Sequence, residues 1–267
     1  MKTISIVNLK GGVGKTVTTV NVAAILASSY DKKVLVIDAD PQANTTQFYG
    51  LVGKDCNTLA SILSGYVDNY TDAIYKTNNN KITCVPADID LIEADIASVT
   101  ADGGSIRVLS DFLDAIICDE EAEAEFPEEF VCDPYDYCLI DCPPSFTAAS
   151  IAAIAASNEV IIPIKIDAFA IDGMRELKKQ IDGVKQIRPD IRIAGVLVTM
   201  WHNVAAVVQG EELLRKSGLP VFQQHIRRSD KVDESTFARQ PLDEYSKTCA
   251  AAIDYRLFVQ EYLGEVQ

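Results

Sequence analysis

The sequence predicts an α/β fold, a single doubly wound and mostly parallel sheet of seven or eight strands with helices on both faces. Three observations carry that expectation. Short β-branched apolar runs alternate with helix-length segments along the chain. A glycine-rich turn joins the first run to the first helix, and two later runs each end in an aspartate, where an open parallel sheet opens its ligand crevice.

Residues 3–8 (Thr-Ile-Ser-Ile-Val-Asn) read as a buried strand, and further strands are expected near 33–38, 82–86, 137–141, 159–165, 192–199 and 220–225. Helices are expected near 15–29, 57–64, 89–99, 105–117, 145–157, 170–187, 203–217 and 247–263. Pro163 counts against a central strand at 159–165, because proline brings no ladder donor. With 267 residues, 48 % of them hydrophobic, the chain can bury one large core, and no linker divides residues 1–267.

The turn between the first strand and helix is Lys10-Gly11-Gly12-Val13-Gly14-Lys15-Thr16. Its glycines open backbone angles closed to other residues and let N–H groups approach an anion, while the helix start adds a favourable dipole. Lys15 is placed to reach the β and γ phosphates of a nucleotide, and the Thr16 hydroxyl to ligate Mg²⁺. The usual phosphate-loop template asks for glycine at the position held by Leu9, so this loop is a variant carrying an additional lysine. The run 33–38 ends at Asp38 and leads into Asp40-Pro41-Gln42-Ala43-Asn44; the run 137–141 ends at Asp141 and leads into Cys142-Pro143-Pro144-Ser145. Asn8, Asp38, Asp40 and Asp141 are therefore expected to converge on one crevice, with Asp141 holding a Mg²⁺-bound water.

These motifs resemble the deviant Walker A loop (Lys-Gly-Gly-x-Gly-Lys-Thr) and switch segments of ParA/Soj-type partition ATPases of the ParA/MinD superfamily, all phosphate-loop NTPases. The likeness extends through Val160-Ile161-Ile162-Pro163-Ile164 with Gly173, through Gly195 to Met200, and through 226–245 with Glu234, Pro241 and Tyr245. It implies a molecular switch that binds ATP and Mg²⁺ and forms a homodimer around two ATP molecules. Lys10 of each subunit would cross to the partner's nucleotide, with the logic of an arginine finger. On the same basis Lys10, Lys15 and Asp40 are the catalytic residues, Asp40 positioning the attacking water, and Gln42 and Asn44 shape the switch. Nucleotide binding falls to Lys10, Gly11, Gly12, Val13, Gly14, Lys15, Thr16 and Val17, and metal binding to Thr16, Asp40 and Asp141. The chain departs from the family at Val17, usually threonine, so its contact to the α phosphate comes from the backbone N–H; it also departs at Arg227 and at Trp201-His202.

The formal charge is −15, yet residues 111–136 alone hold eleven acidic side chains and no Lys or Arg, reading as an acidic surface segment near 118–133. Residues 165–239 are mildly basic, with thirteen Lys or Arg against ten Asp or Glu. The resemblance implies nonspecific binding of duplex DNA by the ATP dimer and stimulation by a ParB-like adaptor. Candidate DNA contacts are Arg215, Lys216, Arg227, Arg228, Lys231 and Arg239. A relative on the same scaffold that positions a protein cargo is the other function class. Neither a bilayer-length apolar stretch nor a signal peptide is seen, and the tail 253–263 carries one basic residue, too few for a basic membrane-binding helix. A cytoplasmic, nucleoid-associated protein is expected. Seven cysteines without a Cys-x-x-Cys spacing give neither a disulfide framework nor a metal signature.

Overall fold

A computed structural model describes residues 1–53, 56–100, 105–116 and 135–265. The acidic segment at 118–133 lies outside them. The sheet has seven strands: β1 (Lys2–Ile6), β2 (Val34–Asp38), β3 (Tyr75–Lys76), β4 (Ile82–Val85), β5 (Tyr137–Asp141), β6 (Glu159–Lys165) and β7 (Arg192–Thr199). Their order is β3-β4-β2-β5-β1-β6-β7, and every pairing is parallel except β3 with β4. The helices are α1 (Lys15–Tyr30), α2 (Asn44–Phe48), α3 (Leu59–Leu63), α4 (Leu91–Thr100), α5 (Ser105–Ile116), α6 (Ala148–Ala156), α7 (Ala170–Val184), α8 (Ala205–Arg215), α9 (Asp230–Phe237), α10 (Leu242–Tyr245) and α11 (Ala250–Leu263).

Alternation along each strand divides two cores. Leu35, Ile37, Ile140, Ile162 and Val198 face one side and pack with residues of α3 to α7; Ile4, Ile6, Val36, Leu139 and Leu197 face the other, against α1 and α11. Helices thus cover both faces, as the doubly wound reading requires. α1 is buried around most of its circumference, which is why its sequence shows no polar stripe.

Pro163 does sit in a central strand. β1 accompanies β6 only as far as Ile161, whose carbonyl accepts the Val7 N–H at 3.1 Å. Two residues on, the same edge of β6 faces the start of the phosphate loop, so no ladder donor is called for at Pro163. Its carbonyl accepts from Asn8 Nδ2 at 2.7 Å.

The strand expected at 220–225 does not form. That segment runs beside β7 but, among the described residues, meets it in one isolated bridge, Val196 with Val221; just past both, Trp201 makes another with Arg227. The amides of Gln223 and Gln224 donate instead to the two carboxylate oxygens of Glu261 on α11, at 2.7 and 2.8 Å, so the ladder is interrupted. The approach is close: a Cβ on Gly195 would lie 2.6 Å from the Phe222 ring.

Candidate functional site

The loop after β1 is shaped by its neighbours as much as by its glycines. Gly14, at φ 87°, begins α1 from the left-handed region, and Thr199 at the end of β7 donates its hydroxyl to the Val13 carbonyl at 2.8 Å. Asn8 accepts the Lys10 amide at 2.9 Å while donating to Pro163, which ties the loop entrance to β6. Lys15 is buried, its ammonium 3.1 Å from the Lys10 carbonyl. Burial pushes its pKa down, against the opposing pull of Asp141 and Asp40.

Asp38 and Asp141 end β2 and β5 in register and are buried together. Burial, reinforced by the Asp141 carboxylate, pushes the Asp38 pKa up, and burial does the same for Asp141. Asp38 is saturated by protein donors: Asp40 N–H at 3.1 Å, and Thr46 N–H and hydroxyl at 2.8 and 2.7 Å. Asp141 is not. Its Oδ2 accepts from Thr16 at 2.6 Å and Thr45 at 2.7 Å, while its Oδ1 is buried without a hydrogen-bond partner. An orphan carboxylate oxygen beside the Thr16 hydroxyl, at the end of a buried acidic pair, is a site short of positive charge. The donor set of two hard oxygens fits Mg²⁺ shared with nucleotide phosphates. Asp40 stands close by, 8 % exposed, its Oδ1 accepting the Gln42 amide at 2.9 Å.

The predicted convergence of Asn8, Asp38, Asp40 and Asp141 with Lys15 and Thr16 is therefore present. Thr45, Thr46 and Thr199, which hold these groups in place, were not singled out in the sequence. The first two follow Asn44 directly, so a pair of hydroxyl residues after the Asp-Pro-Gln-x-Asn segment was the available signal.

Lys10 points to its own chain. Its Nζ is 2.7 Å from Asp167 Oδ1 and 5.6 Å from the centre of the Phe169 ring, in the stretch leading from β6 to α7. On the far side of the loop, a cavity of about 260 Å³ is lined by Gly14, Val17, Met200, His202, Ile226 and Arg227 among others. Met200 adopts φ 52°, and Trp201 stacks on His225 with ring centres 4.1 Å apart.

The six basic residues proposed for DNA are spread from the end of α8 to the turn after α9, and three are engaged within the chain. Arg215 bonds Glu211 at 2.6 Å and the carbonyls of Phe222 and Gln223. Arg227 grips the buried Asp254 with its guanidinium and backbone N–H, and Lys231 pairs with Glu234 at 2.6 Å. Among the described residues no ion pair engages Lys216, Arg228 or Arg239. No helix of the described residues is long and apolar enough to cross a membrane.

Comparison with known proteins agrees with this geometry. A family model described as an AAA domain matches residues 1–193. The chain is 31 % identical to the chromosome partitioning protein ParA of Caulobacter vibrioides, over 99 % of this chain and 94 % of that protein. It is 36 % identical to the sporulation initiation inhibitor protein Soj of Bacillus subtilis, over 95 % of each. Among solved structures, apo McdA from Cyanothece superimposes with a TM-score of 0.82 at 26 % identity, covering 99 % of this chain and all of that one. Cobyrinic acid a,c-diamide synthase from Mycobacterium smegmatis, solved with an ATP analogue and magnesium, gives 0.79 at 25 % identity, covering 98 % and 94 %. With its loop, its aspartates and their strand ends in this arrangement, the chain belongs to the ParA/MinD superfamily of ATPases.

Proposed function

We propose that this ATPase is a Mg-ATP-dependent dimerising switch for chromosome or plasmid partitioning, which binds duplex DNA nonspecifically as the ATP dimer and is stimulated by a ParB-like adaptor. The observation that carries the reading is the unsatisfied Asp141 Oδ1 beside Thr16 and the buried Lys15, at the mouth of a loop whose amides and lysine suit a triphosphate. ATP and Mg²⁺ are the cofactors; bound there, the metal supplies positive charge against the phosphate oxygens. Residues 10–17 would hold the phosphates, Thr16, Asp40 and Asp141 would hold the metal, and Asp40 would also position the attacking water. The Asp38 carboxylate anchors Asp40 and Thr46 and so fixes the switch segment on β2.

Lys10 leaves Asp167 and crosses to the partner's nucleotide, where its cation meets charge developing on the phosphates. Loss of the γ phosphate then removes those contacts and releases the dimer. Gel filtration with ATP tests this: wild type moves to dimer, Asp40→Ala accumulates as dimer, and Lys10→Ala stays monomeric. A wild-type protein that stays monomeric at saturating Mg-ATP would sink the switch. For the DNA arm, retention of duplex by the ATP form falls steeply with salt, as counterion release requires; no ATP-dependent retention at low salt removes it.

The second reading, placement of a protein cargo without direct DNA segregation, is favoured by the internal ion pairing of Arg215, Arg227 and Lys231. ATPase stimulation by a DNA-bound basic adaptor, rather than by a cargo assembly, separates the two.

A further inference from the structure

A second cavity, of about 490 Å³, opens beside the phosphate loop between the start of α1 (Thr16, Val17), α2 (Asn44, Gln47) and the end of α9, where Phe237 and Arg239 border it. Arg239 has φ 55°, in the left-handed region that a branched-chain or long side chain seldom adopts. The turn that imposes it is closed by two backbone bonds, Arg239 N–H to the Thr236 carbonyl at 3.1 Å and Gln240 N–H to the Ser235 carbonyl at 3.0 Å. These two bonds are the usual left-handed close of a helix, so the angle belongs to the end of α9 and marks where the Arg239 side chain leaves it.

The guanidinium of Arg239 has no hydrogen-bond or ion-pair partner among the described residues, whereas those of Arg215, Arg227 and Arg256 each meet a carboxylate. No acidic residue lines the cavity, so Arg239 gives it a net positive charge. The first turn of α1 adds amides with no partner inside the helix. Val17 lines this cavity and also the 260 Å³ cavity across the loop, so the two meet at the same residue, and its isopropyl group offers an anion no hydrogen bond. Together these suit a phosphate contact, with an exposed planar donor, helix amides and no carboxylate in this lining, although Arg239 also borders a cavity that Glu244 lines.

We infer that Arg239 is a further nucleotide-binding residue, its guanidinium donating to the α phosphate of bound ATP or ADP beside Thr16 and Val17. The α position follows from the place of the cavity, which borders the start of α1 and none of Gly11 to Gly14, where the outer phosphates are cradled. The inference rests on the reading of residues 10–17 as the phosphate site.

Arg239→Gly is the informative variant, because glycine takes φ 55° without strain and the fold is retained while the cation is lost. Calorimetric titration of the full chain with Mg-ADP and Mg-ATP is expected to show about tenfold weaker binding of both, the size of one charge-assisted hydrogen bond. Lys179→Ala, which removes an exposed cation on α7, is expected to leave both affinities unchanged. Equal affinity of Arg239→Gly and wild type overturns the inference, as does a loss confined to ATP, which would place the contact on the γ phosphate. Weakened DNA retention with unchanged nucleotide affinity overturns it as well and returns Arg239 to the DNA surface. A wild type that binds neither nucleotide would instead strike the phosphate-site reading on which it stands.

Discussion

Asp141 shows how two hydroxyl groups can aim a carboxylate. Thr16 from α1 and Thr45 from α2 both donate to Oδ2, which leaves Oδ1 buried without a hydrogen-bond partner. Thr45 is therefore a positioning residue whose loss frees the carboxylate to rotate. Thr45→Val removes one buried donor at a cost of about 1 kcal/mol in stability. We expect the Mg²⁺ concentration for half-maximal ATP hydrolysis to rise several-fold, with a smaller change in ATP affinity. A Mg²⁺ titration of hydrolysis alongside a urea midpoint checks both; an unchanged Mg²⁺ requirement would remove Thr45 from this role. The threonine acts across 96 residues of sequence, so no local pattern announces its partner.

At the level of elements, the amino end of β6 draws partners from three neighbouring elements. Glu159, buried, accepts from Tyr262 of α11 at 2.6 Å, pairs with Lys2 of β1 at 3.0 Å, and also pairs with Arg192 of β7. Burial alone would raise its pKa, but the Tyr262 hydrogen bond and the Lys2 and Arg192 cations outweigh it and hold the carboxyl below its usual value. For a carboxylate depressed in the folded state, the unfolded chain takes up the proton first as pH falls. The stability from this cluster is thus complete above the ordinary glutamate pKa, about 4.3, and is lost as pH drops below it. Glu159→Gln leaves two cations facing a neutral amide, but Lys2 and Arg192 keep access to water, so the expected loss at pH 7 is about 1.5 kcal/mol. The gap to wild type should close as pH falls below about 4. Thermal unfolding from pH 3 to 7 measures it, and a gap constant with pH would refute the linkage.

The same element scale shows what the sequence makes legible. β1, β2, β5 and β6 are buried on both faces, so their apolar runs announce them, and two of those runs end in the aspartates that mark the crevice. β3 is a two-residue edge strand, too short for any period to register. α2 begins from Ala43 at φ 55° and contains Asn-Thr-Thr, poor helix formers held by Asp38 rather than by propensity. α9 is polar and starts from the Ser229 cap, with little apolar stripe to mark it as a helix. The run at 220–225 has strand composition, and what denies it a ladder is Glu261, 37 and 38 residues away. Tertiary partners of that kind decide such segments, and composition does not contain them.

For the whole molecule the proposed switch turns on what Lys10 would give up to meet a second copy. In the single chain its ammonium is held by Asp167 and lies over Phe169, both partly exposed: the Asp167 side chain is 43 % accessible and Lys10 30 %. Exposure at that level limits the ion pair to at most about 1 kcal/mol, because water competes for both charges and salt screens them. The Lys10–Asp167 contact is thus a weak latch, strong enough to bias the lysine and too weak to prevent its exchange for a triphosphate. Asp167→Asn keeps the shape and an acceptor oxygen but removes the charge, so the lysine is released at no cost in packing. A dimer releases two such latches, so we expect ATP-dependent self-association to tighten by no more than about thirtyfold, the Boltzmann equivalent of twice that energy, and the difference from wild type to shrink as salt is raised. Sedimentation velocity across a protein dilution series with Mg-ATP measures the shift. A weaker dimer in Asp167→Asn would mean that this carboxylate serves the assembled state instead of the resting one.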